Sequence, residues 1–234
     1  MGRPDAWAAA FFDVDRTTAS SNLLDAYLDY ALEGKKLLGR GIWLGTFVPK
    51  LPLYALLDWT DRVRFIRGFF RNYRGMTLED LESWANRKSG DYWRRRLFGE
   101  ARAAVEWHRE RGHKIVLLTG GLMEMVRPLG DLLEVDEVMA SRGKVTAGRF
   151  TGEMESEPLS GPGKAKAARF WADGSGVDLS ESYAYADDMS DLPLLELVGH
   201  PVVVNPERRL EKLARAKGWP VRRWTLKGET APSP

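Results

Sequence analysis

The run Phe11-Phe12-Asp13-Val14-Asp15-Arg16-Thr17 sets two carboxylates at the end of an apolar segment. Ahead of them, Ala6 to Phe12 is small, aromatic and uncharged, long enough for a buried strand and too short to span a membrane. If strand geometry continues past Phe12, Asp13 and Asp15 point the same way. At the carboxyl edge of a parallel sheet that direction is the ligand crevice. Like charges that close are costly unless a cation or a shared proton relieves them. A polar strand-to-loop turn accounts for the same residues, because Asp is a common turn former.

Beyond Thr17 the pattern becomes helical. Leu23, Leu24, Tyr27, Leu28 and Ala31 recur at helical spacing behind Ser20, Ser21 and Asn22, which are N-cap residue types. Gly39 to Trp59 is rich in Trp, Leu, Phe and Tyr, and Pro49, Lys50 and Pro52 interrupt it. No apolar run reaches the roughly 18 residues a transmembrane helix needs. Two readings of this stretch stay open: the core of a helical subdomain, or an exposed apolar lip that takes a greasy substrate or rests on a membrane surface. On the second reading, truncating Trp43 and Phe47 weakens a long-chain phosphate substrate more than a small one. A further helix starts at Asp61, with Val63, Ile66, Phe70 and Tyr73 on one face and five arginines around it. Another starts at Thr77, with Glu79 and Asp80 in its first turn. Residues 19–100 therefore read as all-helical.

After residue 100 strands alternate with helices. Lys114 to Leu118 is a compact apolar strand ending in Thr119-Gly120-Gly121, small residues that let backbone N–H groups approach an oxyanion. A strand over Asp136 to Ser141 and a hairpin over Lys144 to Met154 follow. Ser160-Gly161-Pro162-Gly163-Lys164 leads into a helix, without the spacing of a Walker A loop. A lysine at a helix start is unfavourable unless an anion is near. Ser182 to Ala186 is a strand ending in Asp187-Asp188-Met189-Ser190-Asp191, where the crowding of carboxylates recurs and a hard divalent cation would relieve it. Asp188 is read as a helix N-cap in preference to a supporting ligand. Pro201 to Asn205 is a strand, Pro206 to Lys217 a helix, Val221 to Trp224 an edge strand, and the tail from Lys227 to Pro234 is loose. Alternating strands and helices mean an α/β fold with a parallel sheet, into which residues 19–100 are inserted after the first strand.

The 234-residue chain has no Cys and a formal net charge of +2. That length can bury a sizeable core. Without Cys there is neither a disulfide framework nor a thiolate metal site, which fits a reducing compartment. The segment Met1-Gly2-Arg3-Pro4-Asp5-Ala6 lacks a secretory apolar region and a myristoylation signal, so the expected localisation is cytoplasmic. Nearly balanced charge gives no reason to expect a nucleic-acid partner. Oligomeric state is not legible.

Four signals fall in order where a strand ends or a helix begins: Asp13-Val14-Asp15-Arg16-Thr17, Thr119-Gly120-Gly121, Gly163-Lys164 and Asp187-Asp188-Met189-Ser190-Asp191. In that order and spacing the chain resembles the haloacid dehalogenase (HAD) superfamily. The helical block between the first two motifs, and the run from Tyr183 to Pro206, are similar to its phosphoserine phosphatase-like branch, subfamily IB. The resemblance covers nearly the whole chain, weakly in the helical block. It implies a Rossmann-like parallel-sheet core (residues 1–18 and 101–234) with an inserted all-helical C1-type cap (residues 19–100). It also implies a phosphatase that acts on a small phosphomonoester with Mg2+.

The roles the resemblance implies make chemical sense. Asp13 would be the nucleophile, already ionised at neutral pH. Asp15 would protonate the leaving alkoxide and then deprotonate the hydrolytic water. Magnesium would sit on Asp13, the main-chain carbonyl of Asp15 and Asp187. Thr119, Gly120 and Lys164 would hold the phosphate, Asp191 would orient Lys164 or a metal-bound water, and Thr17 would brace the first loop. Arg16 stands where many relatives have Gly and is not expected to change the chemistry. His108, His113 and His200 match no catalytic position and are read as structural or surface residues. Relatives specific for phosphoserine hold its ammonium with an acid beyond the first motif. Here Ser20, Ser21 and Asn22 stand there, and Asn22 offers a hydrogen bond without charge. A partly apolar phosphomonoester, with peripheral membrane contact through the cap, fits as well as phosphoserine. A receiver domain orders its acids and lysine differently, and a dehalogenase has no use for Asp15. A phosphotransferase to an alcohol and a silent binding module on the same fold remain as alternatives.

Overall fold

Strand β1 (Ala9–Phe12) is completely buried and lies inside a six-stranded sheet. The structure, a computed structural model, describes residues 7–33 and 36–226, without the side chains of residues 88 and 89. The expectations for Met1 to Ala6 and for the tail Lys227 to Pro234 lie outside the described residues.

Between β1 and the next strand every regular element among the described residues is helical: α1 (Leu23–Leu32), α2 (Leu37–Phe47), α3 (Leu51–Thr60), α4 (Arg62–Phe70), α5 (Leu78–Trp84), α6 (Gly90–Arg96) and α7 (Gly99–Glu110). Then come β2 (Lys114–Leu122), α8 (Met123–Leu133), β3 (Glu137–Ser141), the hairpin β4 (Gly143–Thr146) and β5 (Arg149–Met154), and α9 (Pro162–Ser175). The chain continues through β6 (Tyr183–Ala186), α10 (Leu192–Leu195), β7 (His200–Val204), α11 (Arg208–Lys217) and β8 (Val221–Arg222). The large sheet runs β3-β2-β1-β6-β7-β8, every neighbour parallel, with Phe12 opposite Leu117 on one side and Tyr185 on the other. Strand order reverses direction at β1 and β6, and in open parallel sheets that is where the carboxyl ends open a crevice.

The sheet is apolar on both faces, as a parallel sheet covered by helices must be. Ala10, Phe12, Ile115 and Leu117 face one core, shared with the helical block. Ala9, Phe11, Val116 and Leu118 face the other, with Ala168 of α9 and Leu210 and Ala214 of α11. The helices stop where chemistry dictates: α9 begins with Pro162 in its first turn, and α9 and α11 both end at left-handed glycines, Gly176 and Gly218.

In the helical block α1, α4 and α5 are capped by side chains. Asn22 Oδ1 accepts from the N–H groups of Leu24 and Asp25, Asp61 caps α4 and Thr77 caps α5. An aromatic cluster fills the interior, with the Tyr27 ring 5.5 Å from Phe47, 5.2 Å from Phe69 and 5.1 Å from Tyr73. Two details differ from the sequence reading. The buried face of α4 is Phe65, Ile66, Phe69 and Phe70, with Val63 only half-buried, because β5 and α3 both pack on this helix. And β2 runs past Leu118 to Leu122, with a register shift against β3 between Thr119 and Leu122 that the two glycines permit.

All three histidines sit together, away from the acids. His108 is fully buried, its Nδ1 2.8 Å from His113 Nδ1 and its Nε2 3.0 Å from the Tyr185 hydroxyl, and Tyr183 stacks between His113 and His200. Burial, helped by His113 and Arg111, pulls His108 down to about 3. Its neutral ring therefore contributes stability that is present above the unfolded value near 6.5 and is lost as pH falls toward 3. The maximum slope is about 1.4 kcal/mol per pH unit. A His108→Phe variant is expected to lose less stability than wild type between pH 7 and pH 5 in urea titrations. A parallel loss in both would show that this ring is not the source.

Candidate active site

Three neighbouring strands end in the residues singled out by the motifs: β1 in Asp13, β6 in Asp187, and β2 carries Thr119. Asp13 is held from both sides of its peptide, its N–H donating to Tyr185 O at 3.0 Å and its carbonyl accepting from Thr18 Oγ1 at 2.6 Å. The strand geometry that would align Asp13 with Asp15 does not continue. The chain turns at once, with the N–H groups of Thr18 and Ala19 both donating to Val14 O at 3.0 Å and Arg16 at φ 59°. This turn still brings Asp13 and Asp15 into one cavity of about 450 Å³. Thr17 Oγ1 donates to Asp187 Oδ1 at 3.3 Å, which ties the first loop to the last acidic motif.

Lys164 reaches in from the first turn of α9, buried and donating to Asp13 Oδ1 at 2.5 Å and to Asp191 Oδ2 at 2.8 Å. Burial and the helix dipole both disfavour a cation there, and the two carboxylates more than offset them, so the ammonium titrates above its ordinary range. Asp15 is pushed up to about 6 by burial and by Asp13, against Ser21 Oγ donating to it at 2.8 Å, and against Arg62 and Lys164. Asp191 is pushed up to about 6 by burial and Asp13, against Lys164, and Asp187 is raised well above the carboxylate range by burial and Asp13 against Arg16.

Carboxylate oxygens of the buried Asp13, Asp187 and Asp191 come within 4.8 Å of one another, and Asp191 Oδ1 is buried with no hydrogen-bond partner among the described residues. Three hard oxygen donors and an orphaned acceptor fit a divalent cation. Asp15 joins the cavity, although its carboxylate is not in that cluster.

The small residues leave no spare room. A Cβ on Gly120 would stand 2.7 Å from Ile66 Cδ1 of α4, and one on Gly163 would stand 2.7 Å from Pro158 O. Gly121 does not offer its amide to a ligand, because that N–H donates to Thr119 Oγ1 at 3.0 Å. The Thr119 hydroxyl, thus accepting, keeps its own proton for the cavity.

Two arginines enter the site, neither of them assigned a role in it from the sequence. Arg16 Nε and Nη2 lie 2.6 and 2.5 Å from Asp187 Oδ2, and Nη2 lies 3.6 Å from Asp188. Arg16 thus holds one of the three clustered carboxylates. Asp188 caps the turn at Ser190, as its position implied, and faces Arg16 as well. Arg62 of α4 lines the cavity, paired with Asp58; Asp58 and Asp15 hold its guanidinium above the ordinary range despite burial. Nothing marked it out among five arginines along that stretch.

Above these polar groups the cavity wall is Leu23, Leu51, Tyr54, Phe65 and Ile66. Trp43 and Phe47 do not line it. They stack on each other at 4.6 Å within the helical core, in keeping with the first of the two readings left open for this stretch. Asn22 does reach the cavity, but with its Oδ1 spent on two backbone N–H groups only its amide donors remain, the wrong polarity for an ammonium.

Residues 10–196 match the family of haloacid dehalogenase-like hydrolases. A Streptomyces azureus protein described as an inhibition of morphological differentiation protein is 33% identical, over 91% of this chain and 77% of its own. A probable phosphatase of Mycobacterium tuberculosis is 32% identical over 93% of this chain and 76% of its own. A phosphoserine phosphatase of the same organism is 27% identical over 97% and 74%. Among solved structures, a Bordetella pertussis protein of unknown function superposes with a TM-score of 0.81 at 25% identity, covering 94% of this chain and 99% of its own. A phosphoserine phosphatase captured as a phospho-aspartyl intermediate analogue has the same fold, with a TM-score of 0.67 at 17% identity over 94% of each chain.

Proposed function

Because the chain belongs to the haloacid dehalogenase-like hydrolase family, we propose that it is a magnesium-dependent phosphomonoesterase that passes the phosphoryl group through Asp13. The observation that carries this reading is the pairing of a buried Asp13, fixed by Lys164 at 2.5 Å, with an Asp15 pushed up to about 6 in the same cavity. Two carboxyls with separated tasks, one placed as the nucleophile and one whose raised value lets it give and take a proton close to neutral pH, are what nucleophilic attack plus general acid–base catalysis require.

In this mechanism an Asp13 oxygen attacks phosphorus and the bond to the ester oxygen breaks. Asp15 gives its proton to the departing alkoxide. Asp15 then takes a proton from water as the water oxygen attacks the aspartyl-phosphate, releasing phosphate and restoring Asp13. Lys164 offsets the charge on nucleophile and phosphoryl group, and the Thr119 hydroxyl and Gly120 backbone hold phosphoryl oxygens. Asp13, Asp187 and the main-chain carbonyl of Asp15 would hold magnesium, with Asp191 beside them, and the ion would supply further neutralisation of phosphoryl charge. Arg16 would have to yield Asp187 Oδ2 as that ion binds. The helices of residues 19–100 act as a cap that carries the substrate-contacting wall.

The cavity favours a phosphomonoester with a neutral or apolar body. It has an aliphatic and aromatic roof, Arg62 in place of an unpaired acid, and an Asn22 whose Oδ1 already serves two backbone N–H groups. Asn22→Asp keeps an acceptor for the cap and adds a free carboxylate oxygen. It is expected to raise kcat/KM for phosphoserine relative to an aryl phosphate by about tenfold, the order of one charge-assisted hydrogen bond. An unchanged ratio would place ammonium recognition elsewhere. The reading as a whole is tested by phosphate release from p-nitrophenyl phosphate: magnesium-dependent release supports it, and release indifferent to both magnesium and chelator contradicts it.

A further inference from the structure

Arg16 occupies a position that the backbone shapes for glycine. Its φ is 59°, in the left-handed region that side chains rarely adopt. Both its backbone polar groups are fixed, the N–H donating to Ala19 O at 2.8 Å and the carbonyl accepting from Asn205 Nδ2 at 3.2 Å. The side chain is therefore anchored at its root on a braced turn while its outer part stays accessible, 57% exposed against 3% for the Asp187 side chain it meets. Nε and Nη2 both point to Asp187 Oδ2, at 2.6 and 2.5 Å, and Thr17 Oγ1 donates to the other oxygen at 3.3 Å. Of these two partners of Asp187, Thr17 is wholly buried and Arg16 is the one with room to move.

A second carboxylate stands beside the first. Asp188 Oδ1 accepts from the Ser190 N–H at 2.8 Å, which leaves Oδ2 as the oxygen turned to Arg16, 3.6 Å from Nη2. At that separation the two charges attract without a hydrogen bond, so Asp188 is the weaker of the two partners. A small rotation about the outer bonds of the Arg16 side chain exchanges them. The two carboxylates differ in what else they face: Asp187 belongs to the buried cluster with Asp13 and Asp191 that fits a divalent cation, and Asp188 lies outside it. A guanidinium and a divalent cation on one carboxylate repel each other, whereas a guanidinium on the neighbouring carboxylate has an anion of its own.

We propose that Arg16 is a tethered cation with two resting places, Asp187 and Asp188, that a divalent ion on Asp187 shifts it to the second, and that this exchange sets how tightly the site takes magnesium. The proposal rests on the magnesium-dependent reading of the site. It gives a joint task to two residues that the mechanism does not otherwise use. Arg16 competes for Asp187 and so weakens metal binding; Asp188 draws Arg16 away and so restores part of it. The two residues therefore act on metal affinity in opposite directions, and Asp188 acts through Arg16.

The test is calorimetric titration of Mg2+ into the full chain at constant pH, with no substrate present. Arg16→Gln is expected to bind Mg2+ about tenfold more tightly than wild type, the order of one charge-assisted pair. Asp188→Asn, which keeps an acceptor for the Ser190 N–H, is expected to bind about fivefold more weakly, and the same substitution made in Arg16→Gln to weaken binding by less than about twofold. Arg62→Gln removes a cavity cation that is paired with Asp58 and is expected to tighten binding by no more than about twofold. Arg16→Lys keeps the charge and loses the fork; it is expected to fall between wild type and Arg16→Gln, and it carries the comparison if the Gln variant folds poorly. Three results would overturn the proposal and leave the phosphatase reading standing: equal affinity in wild type and Arg16→Gln, tightening by Arg62→Gln as large as by Arg16→Gln, or an equal loss from Asp188→Asn in both backgrounds. No Mg2+ binding by wild type or any variant would overturn the proposal and the magnesium reading together.

Discussion

Asp13→Asn is expected to release phosphate at least about 10³-fold more slowly than wild type, with its fold intact, because the nucleophile of a covalent mechanism has no substitute in the site. The change is close to isosteric. The Asn carbonyl can still accept from Lys164, and Lys164 keeps its bond to Asp191 at 2.8 Å. What disappears is the anionic oxygen that attacks phosphorus, and with it the charge that helps hold Asp15 near 6. Thermal unfolding at a midpoint equal to or above that of wild type, measured beside the rate, separates lost chemistry from lost structure. Activity within tenfold of wild type would remove Asp13 from the nucleophile's role.

Lys164→Met is expected to damage stability as well as turnover. Lys164 is the cation ion-paired to both Asp13 and Asp191, and its removal leaves buried carboxylates facing one another across a cluster within 4.8 Å. Breaking a buried pair by deleting one partner costs about 3–5 kcal/mol. The cost has a pH signature. Burial and Asp13 already raise Asp191 to about 6 against the pull of Lys164, so without that lysine it rises further. A carboxyl raised in the folded state binds its proton more tightly there than in the unfolded chain. The variant's stability therefore increases as pH falls through the raised values toward the unfolded value near 3.9. Urea unfolding at pH 7.5 and pH 5.5 should show a variant much weaker than wild type at the higher pH and partly recovered at the lower. An equal deficit at both would mean the loss comes from packing around the methionine.

Much of this was legible because it depends on local rules. An apolar run that ends in carboxylates, a hydroxyl before two glycines, and strands alternating with helices each have a short-range signature, and Asn22, Asp61 and Thr77 cap helices as their side-chain chemistry implies. Lys164 was legible as an anomaly, a cation at a helix start, whose explanation had to be an anion brought from elsewhere. What the sequence hid depends on direction. Trp43 and Phe47 are part of an apolar stretch with no polar side to orient it, and only tertiary packing shows that they turn inward while Ile42 and Trp59 turn out. Arg16 and Arg62 are two of many arginines, and no spacing tells which will meet Asp187 or lean over the cavity. Asn22 reads as a neutral substitute for an acid until the two backbone N–H groups on its Oδ1 are seen.

The central claim is that the phosphoryl group visits Asp13. Acid quench of the protein during turnover of an aryl phosphate, followed by peptide mass analysis, tests it directly. A phosphate adduct confined to the peptide carrying Asp13, formed before phosphate appears in solution and absent in Asp13→Asn, is the predicted result. Full-rate phosphate release with no adduct at any time point, or an adduct on Asp15 or Asp187 instead, would contradict it.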